Sequence, residues 1–334
     1  LPFGTTNGDN KGQDRVNYIR GDRTKEADKT GGTFRIRKSR QGDIVNSQVW
    51  YTGAPVSGFA LNSYRTFAGT HKTRIPMIYV GGNDGMLHGF SAVDGAEKIA
   101  YVPQGVIANL PAYTNVTYDH KYYVDGSPFS GDVKLGSAGT ADDWSTYLVG
   151  TLGAGGKGFF ILDVTRPGST DTAGVATNFS KPNASSLVVM DKTAYNASAT
   201  DTNWANSWKD VGYIFSSPTV AENNSQRVLQ LTRTNDGRSA LIIGNGYNST
   251  NERPALLIQY LDGSKEMKVI PAVPLIDPVT NAQHADAVAN GLSAPQFLDV
   301  NGDTIPDFVY AGDLRGNLWK FDISSEDSAA WGVA

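Results

Sequence analysis

The chain has 334 residues, contains no cysteine and carries a formal net charge of −4. The absence of cysteine excludes disulfide bonds, thiolate catalysis and thiolate zinc sites, and the mild negative charge argues against a nucleic-acid partner. No run of about 18 apolar residues occurs, so no membrane-spanning segment is predicted. The 37 glycines and 15 prolines favour many short strands joined by turns.

Residues 1–48 are predicted to form a polar, solvated N-terminal lead-in segment. Positive charge gathers between Lys11 and Arg40, with acidic residues mixed into it. The segment contains Arg20-Gly21-Asp22, the tripeptide that integrins recognise. Because such a tripeptide also occurs by chance, both integrin binding and an incidental role stay open.

The chain opens without a charged-then-apolar signal segment, and its first residue is Leu1 rather than Met. We therefore expect a portion of a longer polypeptide whose signal peptide lies elsewhere.

Residues 49–334 are predicted to form an irregular β-propeller with long loop insertions, an all-β fold. Residues 79–90 align without a gap with residues 310–321, and each copy has the pattern of a strand, a tight glycine turn and a strand. Looser copies lie at 147–163 and 241–258. The units recur at intervals of about 75 to 90 residues, longer than a bare propeller blade of about 40 to 50. A β-sandwich whose hairpins are similar by accident is the alternative.

Two segments between these hairpins are predicted to be connections. Residues 165–205, dense in Ser, Thr, Asn, Ala and Asp, are expected to form a long exposed insertion. The glycine-rich residues 153–158 resemble a phosphate loop, but they stand between two predicted strands. Since no helix N-terminus follows to hold an anion, a turn is predicted there.

Residues 299–307 are predicted to form a calcium loop between two short strands. Oxygen-bearing side chains stand at its positions 1, 3, 5 and 9: Asp299, Asn301, Asp303 and Asp307. Ile305, at position 7, can offer its backbone carbonyl, as position 7 does in calcium loops. An EF-hand is excluded because position 6 is Thr304 rather than Gly and strand formers flank the loop. The alternative is an Asp- and Asn-rich turn that binds nothing.

The loop and the residues that follow it, YAGDLRGNLWKFD at 310–322, resemble the C-terminal propeller of the PilY/PilC family of type IV pilus adhesins. Further segments that resemble the family lie along the chain at 17–22, 42–47, 79–90, 122–128 and 244–248. The resemblance extends from about residue 15 to residue 325.

This resemblance implies a surface protein of a Gram-negative bacterium, exported through the periplasm and carried near the pilus tip with minor pilins and the rest of the type IV pilus machinery. Family members support pilus assembly, oppose retraction in a calcium-dependent way, attach to host cells or surfaces during virulence, and serve twitching motility. The family's Ca²⁺ loop maps onto residues 299–307. Members have further blades after this loop and an N-terminal adhesive module, so an incomplete ring is expected in this chain.

Two other functions stay open. One is a general extracellular attachment or scaffolding propeller whose calcium is purely structural. The other is a relative of quinone-dependent dehydrogenases, whose blades the hairpin at 81–90 also resembles. Those enzymes use an adjacent cysteine pair and often a Cys-x-x-Cys-His haem site, which a chain without cysteine cannot form. The four histidines show no metal-ligand spacing, and His88 is predicted to pack within its blade. We therefore predict a protein that is not an enzyme.

Overall fold

The computed structural model describes residues 9–168, 179–194, 202–215 and 217–334. Within these ranges the strands form four four-stranded antiparallel sheets and one two-stranded pair. In every four-stranded sheet the strands follow one another in chain order, so each sheet is a meander built from local connections. The prediction of repeated units in a mainly β chain is confirmed.

The strands are numbered in chain order. The first sheet contains β1 Trp50–Thr52, β2 Met77–Gly81, β3 Leu87–Ser91 and β4 Glu97–Tyr101. The second sheet contains β5 Phe129–Lys134, β6 Trp144–Thr151, β7 Phe159–Asp163 and β8 Val188–Lys192. The two-stranded pair is β9 Val220–Ala221 and β10 Asn224–Val228. The third sheet contains β11 Leu231–Arg233, β12 Ser239–Gly244, β13 Ala255–Tyr260 and β14 Met267–Pro271. The fourth sheet contains β15 Gln296–Leu298, β16 Phe308–Gly312, β17 Leu318–Asp322 and β18 Gly332–Val333.

Short helices occupy connections before and between the strands. They are α1 Gly12–Ile19, α2 Asn62–Thr70, α3 Gln104–Ile107, α4 Leu110–Tyr113, α5 Ala184–Leu187 and α6 Thr202–Ser207. Across the described ranges, no helix has both the length and the apolar character needed to cross a membrane.

The aligned repeat corresponds to the central hairpin of the first and fourth sheets. In the first sheet Gly81 pairs with Leu87, and in the fourth Gly312 pairs with Leu318. The two hairpins therefore share one register as well as one sequence pattern. Gly85 and Gly316 hold equivalent turn positions with φ of +93° and +87°, a conformation that side chains with a Cβ rarely adopt.

Three hydrophobic clusters join successive sheets face to face. The first contains Leu87 from the first sheet and Leu148 from the second, and also includes residues of α1, α3 and α4. The second cluster joins the second and third sheets, and the third joins the third and fourth. Strands β7 and β13 are buried along their whole length, because their sheets have a neighbour on both faces.

Within the described residues, the row of four-stranded sheets does not close into a ring. In the fourth sheet, burial alternates along β16, since only one face packs against a neighbour. Among the described residues, no hydrophobic cluster links the fourth sheet to the first. This arrangement agrees with the expected irregular or incomplete propeller.

The described part of the N-terminal segment is folded, which corrects the expectation of a solvated lead-in at residues 1–48. Tyr18 and Phe34 lie in the first hydrophobic cluster. The carboxylate of Glu26 is buried against Arg37, with 2.9 Å between Glu26 Oε1 and Arg37 Nε. From the sequence alone, charged side chains such as that of Arg37 indicate a solvated segment, but here the charged end group has a buried partner. The boundary between residues 48 and 49 stays a prediction.

Residues 42–48 bind the first sheet and the connection that leads into the second sheet through hydrogen bonds. Asn46 donates from its backbone N and its Nδ2 to the two carboxylate oxygens of Asp125, at 3.1 and 2.6 Å. The Gly81 N–H donates to Ser47 Oγ at 2.8 Å. The N-terminal segment is therefore bound both to β2 and to the connection that precedes β5.

The expectation of a long exposed insertion at 165–205 is wrong for part of its described residues. Strand β8 lies inside this range and completes the second sheet beside β7. Leu187 and Met190 are 5% and 9% exposed, so they contribute to the core. Residues 169–178 and 195–201 of this range lie outside the described residues. The glycine-rich 153–158 segment is, as predicted, a turn between two strands.

Candidate metal centre

The 299–307 loop joins β15 to β16, so the predicted strand–loop–strand arrangement is confirmed. Leu298 pairs with Phe308 at the base of the loop. The Asp307 N–H donates to the carbonyl oxygen of Leu298 at 2.9 Å, which closes the loop on its own backbone. All five predicted ligand residues therefore lie in one short connection with fixed ends.

The first and last carboxylates of the loop accept backbone hydrogen bonds. Asp299 accepts the N–H of Gly302 on Oδ1 and that of Thr304 on Oδ2, each at 2.7 Å. Asp307 accepts the Val300 N–H on Oδ2 at 2.8 Å. The Asp307 side chain, in a residue that is 7% exposed, thus folds back over the beginning of the loop.

The middle of the loop is exposed and is built from local turns. Asn301 Oδ1 accepts the Asp303 N–H at 2.9 Å, and Asp303 Oδ1 accepts the Ile305 N–H at 2.8 Å. Gly302 and Thr304 have φ of +79° and +75°. Two left-handed residues two positions apart curl the backbone tightly, as a loop that surrounds an ion requires.

The donor set suits calcium, but the side chains are not gathered around one point. Carboxylate, amide and carbonyl oxygens are the ligands that Ca²⁺ prefers, and each carboxylate keeps lone pairs beyond those that accept the N–H groups. Across the described ranges, however, no three His, Cys, Asp or Glu side chains are grouped closely enough to hold a metal ion. The same hydrogen bonds also occur in an Asp- and Asn-rich turn that binds nothing. The calcium site stays a prediction.

The base of the loop is connected to the third sheet. The Ile323 N–H donates to the Asp307 carbonyl at 2.9 Å. Asn235, in the turn between β11 and β12, donates from Nδ2 to the carbonyls of Pro306 at 3.0 Å and Ile323 at 2.8 Å. A change in the position of the loop base would therefore disturb hydrogen bonds at the interface of the third and fourth sheets.

The Arg20-Gly21-Asp22 tripeptide forms an exposed turn at the end of α1. Arg20 and Asp22 are exposed, and Gly21 has a φ of +97°. Asp22 Oδ1 accepts the Thr24 N–H at 2.8 Å, and the backbone and side-chain hydrogen bonds from Thr24 lower the pKa of Asp22. The Asp22 carbonyl accepts a 2.7 Å bond from Arg37 Nη2. The turn is accessible and held in place, while integrin recognition stays a prediction.

A buried histidine with two carboxylate partners lies in the first sheet, and the sequence indicated only its packing. His88 is 3% exposed. Its Nδ1 lies 2.6 Å from Glu97 Oε1, and its Nε2 lies 3.1 Å from both carboxylate oxygens of Asp84. At the equivalent position of the fourth sheet, Trp319 Nε1 donates to Asp313 at 2.8 Å. Each hairpin thus holds a ring with a turn carboxylate. Asp84 and Asp313 stand at different positions of the aligned repeat, so the alignment does not predict this pairing.

The stability of the first sheet is expected to depend on the protonation of His88. Burial alone would lower the pKa of His88, but the hydrogen bonds and charges of Asp84 and then Glu97 outweigh it and raise the pKa above its usual 6.5. The contacts of protonated His88 with Asp84 and Glu97 therefore contribute their full stabilisation below about pH 6.5. It is lost as the pH rises through the raised pKa of the folded state.

This expectation is tested by urea unfolding of the wild type and of His88→Gln between pH 6 and pH 9. We expect the stability difference between the two proteins to shrink as the pH rises. A difference that is constant over this range would contradict the assignment.

The fold and the loop together define an irregular β-propeller that carries a candidate calcium loop. Residues 41–330 match the family model described as the PilY1 beta-propeller domain. The chain belongs to this family.

Curated relatives and a solved structure agree with this assignment. The chain is 38% identical over 327 residues to the type IV pilus biogenesis factor PilY1 of Pseudomonas aeruginosa strain PAK, covering 94% of this chain and 23% of that protein. It is 36% identical over 330 residues to a PilY1 homolog of Xylella fastidiosa strain Temecula1, covering 96% of this chain and 22% of that protein. The crystal structure of the P. aeruginosa PilY1 C-terminal domain matches with a TM-score of 0.58 and 31% identity, over 85% of this chain and 50% of that one. The chain thus spans about a quarter of the length of these curated relatives.

Proposed function

We propose that this chain is a calcium-binding, non-enzymatic propeller domain of a type IV pilus assembly and adhesion protein. Ca²⁺ ordering of the 299–307 loop would regulate pilus extension against retraction, and with it twitching motility and surface attachment. The observation that carries the proposal is the oxygen-rich loop itself, closed at its base by the Asp307–Leu298 backbone bond and tied to the third sheet through Asn235. The similarity to proteins named type IV pilus biogenesis factors supports the pilus context.

The residues that would hold Ca²⁺ are those predicted from the spacing: Asp299, Asn301, Asp303, the Ile305 carbonyl and Asp307. The ion would supply the positive charge that three neighbouring carboxylates lack. Without that charge, the loop relies on backbone N–H groups to hold its carboxylates. The ordering would reach the interface of the third and fourth sheets through Asp307, whose carbonyl accepts the Ile323 N–H.

Membership of the family supports a proposal for the location and the partners. We propose a protein exported through the periplasm of a Gram-negative bacterium and displayed at the cell surface with the pilus, in contact with minor pilins. Host surfaces, including integrins reached through the Arg20–Asp22 turn, are further partners under this proposal. The name shared by the relatives, pilus biogenesis factor, supports a role that is not enzymatic.

The proposal is tested by Asp303→Asn in the full-length protein, expressed in a piliated bacterium. Asparagine keeps an oxygen that can accept the Ile305 N–H but removes one charge from the loop. We expect normal export and folding with altered surface piliation and reduced twitching. Asp277→Asn is the matched control, because Asp277 is a partly exposed turn residue that accepts the N–H groups of Val279 and Thr280 outside the loop.

The scaffolding alternative makes the opposite prediction for the same strains. If Asp303→Asn weakens calcium binding while piliation and twitching equal those of the Asp277→Asn strain, the calcium is purely structural. The regulatory part of the proposal would then be wrong.

A further inference from the structure

A large cavity lies on the face of the first sheet that points away from the second sheet. Its volume is about 870 Å³, within the range of roughly 300–1,000 Å³ that is usual for ligand pockets. His88 and Phe90 of β3 line it, whereas Leu87, the residue before His88, points into the core cluster. Helix α1 covers one side of the cavity with Val16 and Ile19.

The walls of this cavity are mainly apolar. Besides α1 and β3, they include Met86, Val102 of the segment after β4, Ile107 of α3 and Leu110 of α4. An alkyl chain placed here would be removed from water on several sides, and this burial favours binding in proportion to the apolar area covered.

Two arginines line the same cavity and have no acidic partner there. Arg20 and Arg40 are both exposed, and neither guanidinium group forms a hydrogen bond or an ion pair with any residue in the described part of the chain. Glu97 is the only carboxylate among the lining residues, and it lies against His88 Nδ1 at 2.6 Å. The other His88 nitrogen faces the buried Asp84. The positive charge of the two guanidinium groups is therefore unmatched.

We propose that this cavity binds a small amphipathic carboxylate, with its alkyl chain against the apolar walls and its carboxylate on Arg20 and Arg40. A guanidinium group presents donors in a planar fork that matches a carboxylate. A cation of the same shape would be repelled by the two arginines, and an uncharged chain would leave them unused. This site gives Arg20 a role that does not involve integrins, and it does not depend on calcium.

The test is isothermal titration of the whole chain with decanoate at neutral pH, below its micelle concentration. We expect saturable binding of one decanoate, and no binding of decyltrimethylammonium, which has the same alkyl chain and the opposite charge. Arg40→Gln is expected to weaken decanoate binding by about tenfold or more, the loss of a charge-assisted hydrogen bond. Ala100→Trp, at the position in β4 that pairs with His88, is expected to fill the cavity and abolish binding.

Three variants serve as controls for this experiment. Arg65→Gln removes an exposed arginine of α2 that lies outside the cavity and should bind decanoate as the wild type does. Asp22→Glu alters the integrin-type tripeptide without removing Arg20, and Asp303→Asn alters the calcium loop; both should also bind normally. Thermal unfolding of each variant shows whether it is folded.

Two outcomes would overturn the proposal. Equal binding of decanoate and decyltrimethylammonium would show an unselective apolar surface. Unchanged binding by folded Arg40→Gln and Ala100→Trp would place the ligand elsewhere. Neither outcome bears on the calcium loop, so this inference and the proposed function can fail separately.

Discussion

Replacing Asp307 by alanine is expected to abolish calcium binding by the 299–307 loop. Asp307 is the last predicted ligand, and its carboxylate is the one most buried at the loop base, where it accepts the Val300 N–H. The substitution removes a charged ligand and also releases the backbone at the beginning of the loop. Calorimetric titration of the purified chain with CaCl₂ should give a saturable signal for the wild type and none for Asp307→Ala.

The loss of calcium binding in Asp307→Ala should also be visible in the thermal stability of the protein. An ion that binds only the folded state at one hundred times its dissociation constant stabilises that state by about 2.7 kcal/mol. The wild type should therefore melt at a higher temperature when calcium is added, whereas Asp307→Ala should not respond. The hydrophobic clusters between the sheets contain none of the loop residues, so most of the fold should persist in the variant.

A partly exposed carboxylate outside the loop, that of Asp277, provides the matched control. Asp277→Ala also removes a side chain that accepts backbone N–H groups, and it should titrate with calcium as the wild type does. If Asp307→Ala gave the same titration as Asp277→Ala, the assignment of the ligand loop would be refuted.

Replacing Glu26 by alanine is expected to destabilise the protein by about 3–5 kcal/mol, the usual cost of breaking a buried ion pair from one side. The Glu26 side chain is 0% exposed and that of Arg37 is 2% exposed. Removing the carboxylate would leave the Arg37 guanidinium buried without a counter-charge. Arg37 also donates to the carbonyls of Tyr18 and Asp22, so the turn at the end of α1 should loosen as well.

Urea unfolding measures this loss, and limited proteolysis reports on the turn. Asp28→Ala is the control, since Asp28 pairs with Lys29 on the exposed surface of the same segment. Surface pairs contribute little, so Asp28→Ala should leave the unfolding midpoint almost unchanged. Equal midpoints for Glu26→Ala and the wild type would mean that the buried pair contributes nothing to stability.

The central hairpins could be predicted from the sequence because their signals are local. In residues 79–90 and 310–321, apolar alternation and a glycine turn lie within a dozen positions, and the structure gives both the same register. The positions of Gly85 and Gly316 in the left-handed region explain why glycine recurs there.

The packing of the N-terminal segment could not be predicted in the same way, because its partners are remote. Arg37 looks like a solvated charge until Glu26 and the ring of Tyr18, 3.5 Å from its guanidinium carbon, are placed around it. Strand β8 could not be predicted from the sequence for a related reason, because its partner strand decides its structure. It follows a polar stretch, and it is a strand because β7 offers it an open edge.

In the candidate site, the loop could be predicted from the sequence, but the positions of its side chains could not. The spacing of oxygen residues correctly predicted a loop between strands, since that depends on chain neighbours alone. Whether Asp299, Asp303 and Asp307 converge depends on side-chain rotamers, which compete with the backbone N–H groups of the loop. Likewise, no sequence pattern places Glu97 beside His88. The two residues meet only because β3 pairs with β4.

The bonds from Asn46 to Asp125 have a consequence for biosynthesis. The two residues are 79 positions apart, so a ribosome releases the N-terminal segment well before the carboxylate that anchors it. A chain that emerges amino end first would therefore hold residues 42–48 without this anchor until the first sheet and the connection after it had been synthesised. The Asn46–Asp125 bonds would thus form only after strands β1 to β4 are complete.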